Sequence, residues 1–407
     1  MRILYLLQEF PFPPINGIRL KTFNVLTYMA KRHECYLLCF GSRKDLLEGI
    51  DWVDRLPNLK VLGVFPRATG LDWIGKVITN IVMGYPPSLA RFRNKGFGKA
   101  LTDVLEKYHF DVVHFDLLNV AQYRKLVSGI PTLLSANDSV SLRYWRSAES
   151  TRNVFARARL NFSARRIAQF ETKMYPKFDA VHFVSQEDAA DLLARTGNCN
   201  VVVIPICVEP EYLQYPIRCK KNGGFRIFTS GNFGNPGLLD MVIKFVSTSF
   251  AEIKKVLPSV ELIIVGRNTS PYVKRFLSTC PGVSLLDWVE DYISVLASAD
   301  IAVFLDNTGT GMKNRVLQAL AMGKPVIGTR IAFNGIQIQE GVHAFVCEDP
   351  SNLSNLILEL LKNEDKRFQV GTAARRLVKE KYSRDVIGQK WEALYLSLAK
   401  LSGGDDV

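Results

Sequence analysis

The sequence lacks the signatures of several large functional classes. Its 407 residues contain no GxGxxG after the first apolar segment, no GxxxxGK[ST] and no HExxH, which removes the main support for nicotinamide-binding, P-loop and metalloprotease sites. The seven cysteines are an odd number and form no CxxC pair, so we expect a reducing compartment and no structural zinc. No run reaches the ~20 apolar residues of a membrane-spanning helix. The start MRILYLL predicts a first strand rather than a signal peptide, and we expect a cytoplasmic protein.

The composition is that of a globular protein with a basic first half. Hydrophobic residues make up 47% and charged residues 22%, and the length leaves room for two or three domains of roughly 150 residues. The net charge is +13; up to residue 210 it is 28 − 19 = +9, and beyond that residue it is 24 − 20 = +4. A basic half predicts an acidic partner: nucleic acid, an anionic membrane surface or a phosphorylated small molecule.

Strands, loops and helices alternate along the chain, which predicts mostly parallel sheets with helices on both faces. Glu209–Gly224 is rich in Pro, Lys and Gly without periodicity and is predicted to be a linker between two doubly wound domains. Ligands of such sheets bind at the carboxyl ends of the strands, so the cleft between the domains is the expected site. The predicted strands are Ile3–Leu7, Cys35–Phe40, Val112–Phe115, Thr132–Ser135, Ala180–Val184, Arg226–Ser230, Glu261–Val265, Val283–Leu286, Ile301–Leu305 and Pro325–Gly328.

The most informative stretch is Asp306–Thr329, DNTGTGMKNRVLQALAMGKPVIGT. A glycine-containing loop follows an apolar strand, and a helix is predicted to begin near Met312 and to end before Gly323. Its first turn would carry Lys313 and Arg315, although the helix dipole favours anions there. A bound phosphate or diphosphate would balance these cations; alternatively, both side chains point into water.

This loop, helix and GKPV strand resemble the donor-binding segment of GT-B glycosyltransferases of family 4. ILYLLQEFPFPPINGIRLKTFNVLTYMAKRHE, FDAVHFVSQEDAADLL and VVVIPICVEPEYL resemble segments of the first domain of the same enzymes. The resemblance implies a GT-B fold of two Rossmann-like domains facing a central cleft. Residues 1–210 would bind the acceptor and residues 211–384 the nucleotide-sugar donor, and a helix in residues 385–407 would cross back to the first domain.

The resemblance also implies site residues. Thr310 and Gln318 stand where the family has two glutamates, and Gln318 would accept hydrogen bonds from the donor ribose. Asp116 and His114, at the end of an apolar strand, are the expected catalytic pair; a packed core histidine is the alternative. Independently of the resemblance, Asn137 and Asp138 follow a predicted strand and are the expected acceptor-binding residues, with helix capping as the alternative. The expected donor-binding residues are Gly17, Arg19, Gly231, Asn232, Arg267, Val289, Gly309, Thr310, Gly311, Lys313, Arg315 and Gln318. The alternatives are a helix-entry turn for Gly17 and Arg19, an ordinary turn for Gly231 and a solvated surface residue for Gln318.

Leu142–Lys177 interleaves nine basic residues with apolar ones, which is typical of a basic amphipathic helix that faces anionic lipid headgroups or a lipid diphosphate acceptor. A solvated helical face is the alternative. The apolar segment Asp72–Pro86 would dip into the membrane interface or pack against the protein.

Taken together, the resemblance and the basic stretch imply a glycosyltransferase of cell-surface polysaccharide or glycoconjugate synthesis. It would move a sugar, with retention, from a nucleotide diphosphate sugar to a hydroxyl of a glycan or lipid-linked glycan, at the inner face of the membrane. No metal, other cofactor or nucleic acid is expected. The alternatives are a non-catalytic GT-B subunit that binds a glycan or partner, favoured by the missing glutamates, and a sugar-nucleotide epimerase.

Overall fold

The computed structural model describes residues 1–151, 153–217 and 224–403. Most of the second half of the predicted linker, residues 218–223 with Cys219, and Arg152 of the basic stretch lie outside the described residues. The chain forms two compact units. The first contains Met1–Ala148, Asn153–Cys207 and the carboxyl-terminal segment from Arg384, and the second consists mainly of Val208–Ser383.

The described part of the first unit holds a seven-stranded parallel sheet in the order β3-β2-β1-β4-β5-β6-β7. Because strand order reverses on either side of β1, the switch point lies between β1 and β4, where ligands of doubly wound sheets bind. The strands are β1 Arg2–Leu7, β2 Glu34–Phe40, β3 Leu59–Phe65, β4 Val112–Asp116, β5 Thr132–Asn137, β6 Ala180–Phe183 and β7 Val201–Val203.

Helices cover both faces of this sheet. The first begins where the Asn16 side chain accepts a hydrogen bond from the Arg19 backbone N–H at 2.9 Å, an N-cap. The 3₁₀ segments Pro87–Phe92, Leu118–Leu126 and Tyr175–Lys177 lie in the connections between helices and strands. The helices are α1 Gly17–Met29, α2 Arg43–Glu48, α3 Ile50–Asp54, α4 Gly70–Val82, α5 Lys95–Lys107, α6 Val140–Glu149, α7 Val154–Met174 and α8 Gln186–Thr196.

The described part of the second unit holds a six-stranded parallel sheet in the order β10-β9-β8-β11-β12-β13, with its switch point between β8 and β11. Its strands are β8 Arg226–Asn232, β9 Glu261–Arg267, β10 Val283–Leu286, β11 Ile301–Phe304, β12 Val326–Gly328 and β13 Phe345–Val346. Its helices are α9 Pro210–Gln214, α10 Pro236–Phe245, α11 Ala251–Val256, α12 Pro271–Thr279, α13 Tyr292–Ala297, α14 Asn314–Ala321, α15 Ser354–Lys362 and α16 Glu364–Tyr382.

The last helix, α17 (Arg384–Ala399), packs in the first unit against α1. The approach is close at Gly388, where a Cβ would lie 2.3 Å from the Tyr28 ring, so a larger residue would push the helices apart. Trp391 and Tyr395 of this helix are fully buried beside the histidines of β4 and β6, with ring centroids 4.4 Å apart for Trp391 and His182.

The two doubly wound parallel sheets confirm the predicted fold class, and all ten predicted strands are present within a residue or two. Three strands were missed: β3 lies at a sheet edge and carries Lys60 and Gly63, while β7 and β13 are only three and two residues long. The predicted linker contains a short helix, α9. The predicted helix start near Met312 is wrong, because Lys313 is extended (φ −103°, ψ 106°) and α14 begins at Asn314.

The basic stretch is not one helix. It divides into two separate helices, α6, which ends at Glu149, and α7, which begins at Val154. Among the described helices none is both long and apolar enough to cross a bilayer.

Candidate functional site

In the second unit, two loops meet at the switch point of the sheet. One follows β8 and the other follows β11, and the Asn235 side-chain amide donates a hydrogen bond to Thr308 Oγ1 at 2.8 Å. The second loop turns twice in the left-handed region, at Gly309 (φ 108°) and Gly311 (φ 64°). Only glycine adopts such angles without strain, so the sequence TGTG is what allows the loop to fold back toward α14.

The two cations at the start of α14 have partners within the unit. The Arg315 guanidinium forms an ion pair with the buried carboxylate of Asp306, which ends the apolar segment after β11. Lys313 Nζ donates to the backbone oxygens of Thr310 at 2.8 Å and Gly311 at 3.3 Å. The reversed charge at this helix start is therefore balanced in part by Asp306 and by loop carbonyls, partners that the tertiary structure supplies.

This loop nevertheless keeps unused hydrogen-bonding capacity. Asp306 Oδ2 and Arg315 Nε are both buried and have no hydrogen-bond partner among the described residues. Buried polar atoms of native proteins are almost always paired, so an orphaned donor and an orphaned acceptor side by side make this loop a candidate site for a polar ligand.

Gln318 lies one turn further along α14 and is 8% exposed. Its side-chain amide donates to the two carboxylate oxygens of Glu209, at 3.3 and 3.4 Å. A carboxylate is thus present beside the position where the resemblance expects one, but it comes from a residue more than 100 positions earlier.

The loop after β8 is shaped by packing. A Cβ on Gly231 would lie 2.4 Å from the Leu238 side chain, so glycine is required there by the approach of α10. Asn232 Oδ1 accepts hydrogen bonds from the Gly234 backbone at 3.1 Å and from Asn268 Nδ2 at 2.9 Å, which ties this loop to the turn after β9. Both residues hold the loop, and their contact with a donor remains a prediction.

Arg267 and Trp288 form an exposed pair at the ends of β9 and β10. The guanidinium lies 4.4 Å from the indole centroid, and Trp288 is 61% exposed. Val289 beside it is half-buried. A planar cation stacked on an exposed aromatic ring can extend a stack to a further planar group.

In the first unit, Asp116 is the centre of a buried polar network at the switch point. Lys21 Nζ donates to Asp116 Oδ1 at 2.5 Å and to Ser135 Oγ at 2.9 Å, while Thr22 Oγ1 donates to Asp116 Oδ2 at 2.8 Å. Burial alone would raise the pKa of Asp116, but the Lys21 ammonium and the neighbouring His114 lower it well below its usual value. Asp116 is therefore a carboxylate at neutral pH.

The two histidines beside this network are neutral. His114 Nδ1 lies 2.7 Å from the Tyr395 hydroxyl, and burial lowers the pKa of His114. His182 Nε2 lies 2.8 Å from the Ile204 carbonyl and its Nδ1 lies 3.0 Å from Ser135 Oγ. Burial and the nearby Lys21 charge lower the pKa of His182 to about 3.

The two residues of the predicted catalytic pair are almost completely buried. Asp116 and His114 are each 2% exposed, and both carboxylate oxygens of Asp116 are occupied by side chains of the first unit. The geometry gives Asp116 the role of anchoring α1 to β4, and contact with a reacting sugar stays a prediction.

The remaining predicted residues lie around this switch point. Gly17 is exposed at the first position of α1. The Arg19 guanidinium pairs with Glu9 and Asp45, each at 3.0 Å, so two carboxylates already balance its charge. Its donor-binding role stays a prediction.

The expected acceptor-binding residues follow β5. Asn137 adopts a left-handed backbone (φ 69°), and Asp138 pairs with Arg143 at 3.3 Å. The Ser139 hydroxyl, rather than either of these side chains, accepts the backbone N–H of Leu142 in the first turn of α6, at 3.2 Å.

Sequence reasoning missed Lys21, Asp306 and Glu209. A signal existed for Lys21, which shares a helical face with the apolar Ile18 and Val25, three positions before and four positions after it. Asp306 could have been noticed as an acid that ends an apolar strand segment. Glu209 gave no such signal, because its partner is brought to it only by the tertiary fold.

Two family models match the chain: Glycosyltransferase Family 4 over residues 15–212 and Glycosyl transferases group 1 over residues 225–363. Among curated proteins, the capsular polysaccharide biosynthesis glycosyltransferase CapM of Staphylococcus aureus is 28% identical over 155 residues, 36% of this chain and 40% of CapM. The N-acetyl-alpha-D-glucosaminyl L-malate synthase of Bacillus anthracis is 28% identical over 114 residues, 27% of this chain and 29% of that protein. The matches thus span less than half of either relative.

Solved structures share the fold over nearly the whole chain. Anabaena Alr3699/HepE, in complex with UDP, has a TM-score of 0.66 at 15% identity, covering 98% of this chain and 100% of that one. A sucrose-phosphate synthase from Thermosynechococcus elongatus has a TM-score of 0.68 at 14% identity, covering 98% and 100%.

Proposed function

The chain belongs to the group 1 glycosyltransferases with a GT-B fold, and on that premise we propose that it transfers a sugar from a nucleotide diphosphate sugar to a hydroxyl of a glycan or lipid-linked glycan. We expect retention of configuration and a role in cell-surface polysaccharide or glycoconjugate synthesis. The S. aureus relative, named for capsular polysaccharide biosynthesis, supports that role.

The β11–α14 loop carries the proposal for the donor. It lies at the carboxyl end of the sheet at its switch point, contains two glycines in left-handed conformations, and keeps an orphaned buried donor and acceptor at Arg315 and Asp306. A nucleotide diphosphate needs cations and donors for its phosphates, and the departing diphosphate needs them most, because charge develops on it in the transition state. Structures of the HepE protein with UDP and with UDP-glucose support a donor of this class.

Within this proposal, Lys313 and Arg315 supply positive charge beside the diphosphate, and the Gln318–Glu209 pair supplies acceptors for ribose hydroxyls. Arg267 and Trp288 would stack on the base. The chemistry needs no resident cofactor, since the nucleotide sugar is itself a substrate. In the expected transfer the acceptor hydroxyl attacks the anomeric carbon on the face from which the diphosphate departs, the bond to the diphosphate breaks, and the hydroxyl proton passes to the departing diphosphate oxygen.

We also propose that the enzyme is cytoplasmic and associates with an anionic membrane surface through its first unit. The helix α4 exposes a row of apolar side chains, with Leu71 86%, Ile78 58% and Val82 81% exposed. The first turn of α7 exposes Phe155 at 88%, and exposed arginines follow on the same helix. Apolar side chains flanked by cations are the combination that binds at the interface of an anionic bilayer.

The experiment is incubation with radiolabelled UDP-, GDP- and ADP-sugars, with and without membrane extract as acceptor, followed by measurement of released nucleotide and of labelled lipid-phase product. Acceptor-dependent release from one donor supports the transferase. Interconversion of sugar nucleotides without acceptor would indicate the epimerase, and absence of both release and nucleotide binding would indicate a non-catalytic subunit.

A matched pair of variants links the activity to the loop. Arg315→Ala should reduce the release of nucleotide, whereas Arg226→Ala should not. Arg226 lies at the amino end of β8, away from the loop after β11, and pairs with Glu261 at an exposed position. The anomeric configuration of the product, read by NMR, tests retention.

A further inference from the structure

The first unit contains a pocket of about 770 Å³ that none of the site residues discussed above explains. It lies among α4, the 3₁₀ segment Pro87–Phe92, α6 and α7. Much of its wall is apolar and aromatic, including Trp73, Tyr144 and Phe162, and three arginines, Arg91, Arg143 and Arg159, line it as well. None of the described residues that line it is acidic.

The pocket lies at the edge of the sheet where ligands bind. Asn119, which lines it, comes three residues after the end of β4, and Arg143 and Tyr144 are in the first two turns of the helix that follows β5. The carboxyl ends of parallel strands share one edge, so the pocket opens at the functional side of the first unit rather than at its back.

Some of its polar groups have no partner within the described part of the chain. Ser88 Oγ and Asn119 Oδ1 are buried without a hydrogen-bond partner among the described residues. Arg91 stacks on Trp73, 5.2 Å from the ring centroid, and neither Arg91 nor Arg159 forms an ion pair within the described part of the chain. Three guanidinium groups thus line one pocket, and of these only that of Arg143 has a carboxylate partner, Asp138, among the described residues.

This combination selects a ligand class. Guanidinium groups bind phosphate oxygens by paired, charge-assisted hydrogen bonds, and aromatic walls bury hydrocarbon. The helix α4 turns Trp73 and Ile81 toward the pocket and exposes Leu71, Ile78 and Val82 on its other side. An apolar chain that leaves the pocket would therefore meet an apolar surface at once.

We propose that this pocket binds the diphosphate group of an amphiphilic, lipid-linked acceptor, with Arg91, Arg143 and Arg159 on the phosphates and the first part of the hydrocarbon chain against Trp73 and Phe162. The inference rests on the proposed function, which it deepens by naming the acceptor class. It assigns the +9 charge of the first half in part to acceptor recognition.

The test is a calorimetric titration of the purified protein with farnesyl diphosphate, below the critical micelle concentration of farnesyl diphosphate and without any nucleotide. Inorganic diphosphate and farnesol are titrated separately. We expect farnesyl diphosphate to bind at least tenfold more tightly than either fragment, because the pocket offers both cations and apolar walls. Equal binding of inorganic diphosphate would mean a simple anion site and would overturn the proposal.

The variants are Arg159→Gln and Arg143→Gln, each expected to weaken farnesyl diphosphate binding at least tenfold. Arg157→Gln is the control, because Arg157 is exposed on the same helix and does not line the pocket. All three replace exposed side chains, so folding should be retained, and thermal melts check this. Unchanged affinity in both pocket variants would overturn the proposal.

Two further measurements separate the alternatives. UDP binding should be the same in Arg159→Gln and in the unmodified protein, so a chain that binds farnesyl diphosphate but no nucleotide would refute the proposed transferase while supporting the pocket. Vesicles of phosphatidylglycerol should not displace farnesyl diphosphate when the vesicle lipid is in tenfold excess; complete displacement would assign the pocket to bilayer headgroups and overturn it as an acceptor site.

Discussion

Gln318 donates its side-chain amide to Glu209, and this contact joins α14 to the residue that precedes α9. The two residues lie 109 positions apart in the sequence and in the same unit. The resemblance to family 4 enzymes suggests that a glutamate at position 318 would restore a missing ribose contact. The structure points the other way, because that position already faces a carboxylate.

We therefore predict that Gln318→Glu lowers stability and donor binding at neutral pH. Two carboxylates at this separation repel each other and lose the amide donor, at a cost of roughly 1–2 kcal/mol. The repulsion raises the pKa of one of the pair, so the loss should shrink as the pH falls from 7 to 5. Urea denaturation at both pH values and calorimetry with UDP measure it.

The exchanged pair is the control. Glu209→Gln combined with Gln318→Glu puts one carboxylate and one amide back in contact and should recover most of the stability. If Gln318→Glu alone binds UDP more tightly than the unmodified protein, the Glu209 contact is not decisive for the site.

A second prediction concerns Arg315 and Lys313, whose replacement should change the free energy of unfolding by different amounts. Arg315→Ala leaves the buried Asp306 carboxylate without its cation, and since the Arg315 side chain is 22% exposed we expect a loss of about 1–3 kcal/mol in unfolding free energy. Lys313→Ala removes hydrogen bonds to loop carbonyls and should cost less stability. Both should weaken UDP binding by about 1.5–3 kcal/mol.

Calorimetry with UDP and urea denaturation of both variants decide this, with Lys244→Ala as the exposed control at the far end of α10. Unchanged UDP affinity in both variants would remove the phosphate assignment, whatever their stability.

The strands were predictable because their signal is local. Runs such as Val112–Phe115 and Ile301–Leu305 are buried on both faces, and an apolar run bounded by turn residues is enough to find them. Lys60 and Gly63 interrupt the apolar run of the edge strand β3, and β13 spans only two residues, so both strands give a weaker local signal. The start of α14 was misplaced because the left-handed turn at Gly311 delays the helix.

The site was predictable only to the level of its segments. The sequence locates the glycine loop, Arg315 and Gln318, but each owes its environment to a residue that tertiary structure supplies, Asp306 or Glu209. Likewise Asp116 stands out as an acid at a strand end, while its burial against Lys21 depends on how α1 packs on β4. Local patterns identify such residues but do not reveal their partners.

A third prediction follows from the Lys21–Asp116 ion pair, whose side chains are 5% and 3% exposed. Lys21→Met removes the cation and leaves a buried carboxylate, which should cost about 3–5 kcal/mol. Lys21→Met combined with Asp116→Asn should recover much of this, because the amide is neutral and still accepts from Thr22. Urea denaturation measures all three proteins, and a loss below about 1 kcal/mol in the single variant would contradict the prediction.

A fourth prediction concerns stability in acid. The folded pKa of His182 is lowered to about 3, whereas an unfolded histidine titrates near 6.5. The unfolded state therefore binds the proton more readily, so the stabilising contribution is fully present above pH 6.5 and is lost as the pH falls toward 3. The slope reaches about 1.4 kcal/mol per pH unit for this one proton.

Unfolding free energies at pH 7, 6, 5 and 4 test this against His182→Asn, whose amide oxygen still accepts from Ser135. The variant should be less stable at pH 7. Between pH 6 and 4 the slope of its unfolding free energy with pH should be smaller by the contribution of about one proton, roughly 1.4 kcal/mol per pH unit. Parallel curves for the two proteins would show that His182 is not the group responsible. His114, whose pKa is also lowered, contributes the same sign in both proteins and cancels in the comparison.

The last prediction concerns the exposed apolar side of α4. If it enters the interface of an anionic bilayer, sedimentation with phosphatidylglycerol vesicles should retain the protein at low salt and release it at high salt, since the flanking arginines act over a Debye length of ~10 Å at 0.1 M. Ile74→Asp with Ile78→Asp should abolish sedimentation, because both side chains are exposed and a charge there cannot enter the bilayer. Arg157→Glu with Arg165→Glu should weaken it and reduce its salt dependence. Leu47→Asp on α2, an exposed leucine of the same unit, should leave sedimentation unchanged. Equal sedimentation with neutral and anionic vesicles, or none at low salt, would mean that this side of α4 does not meet an anionic membrane.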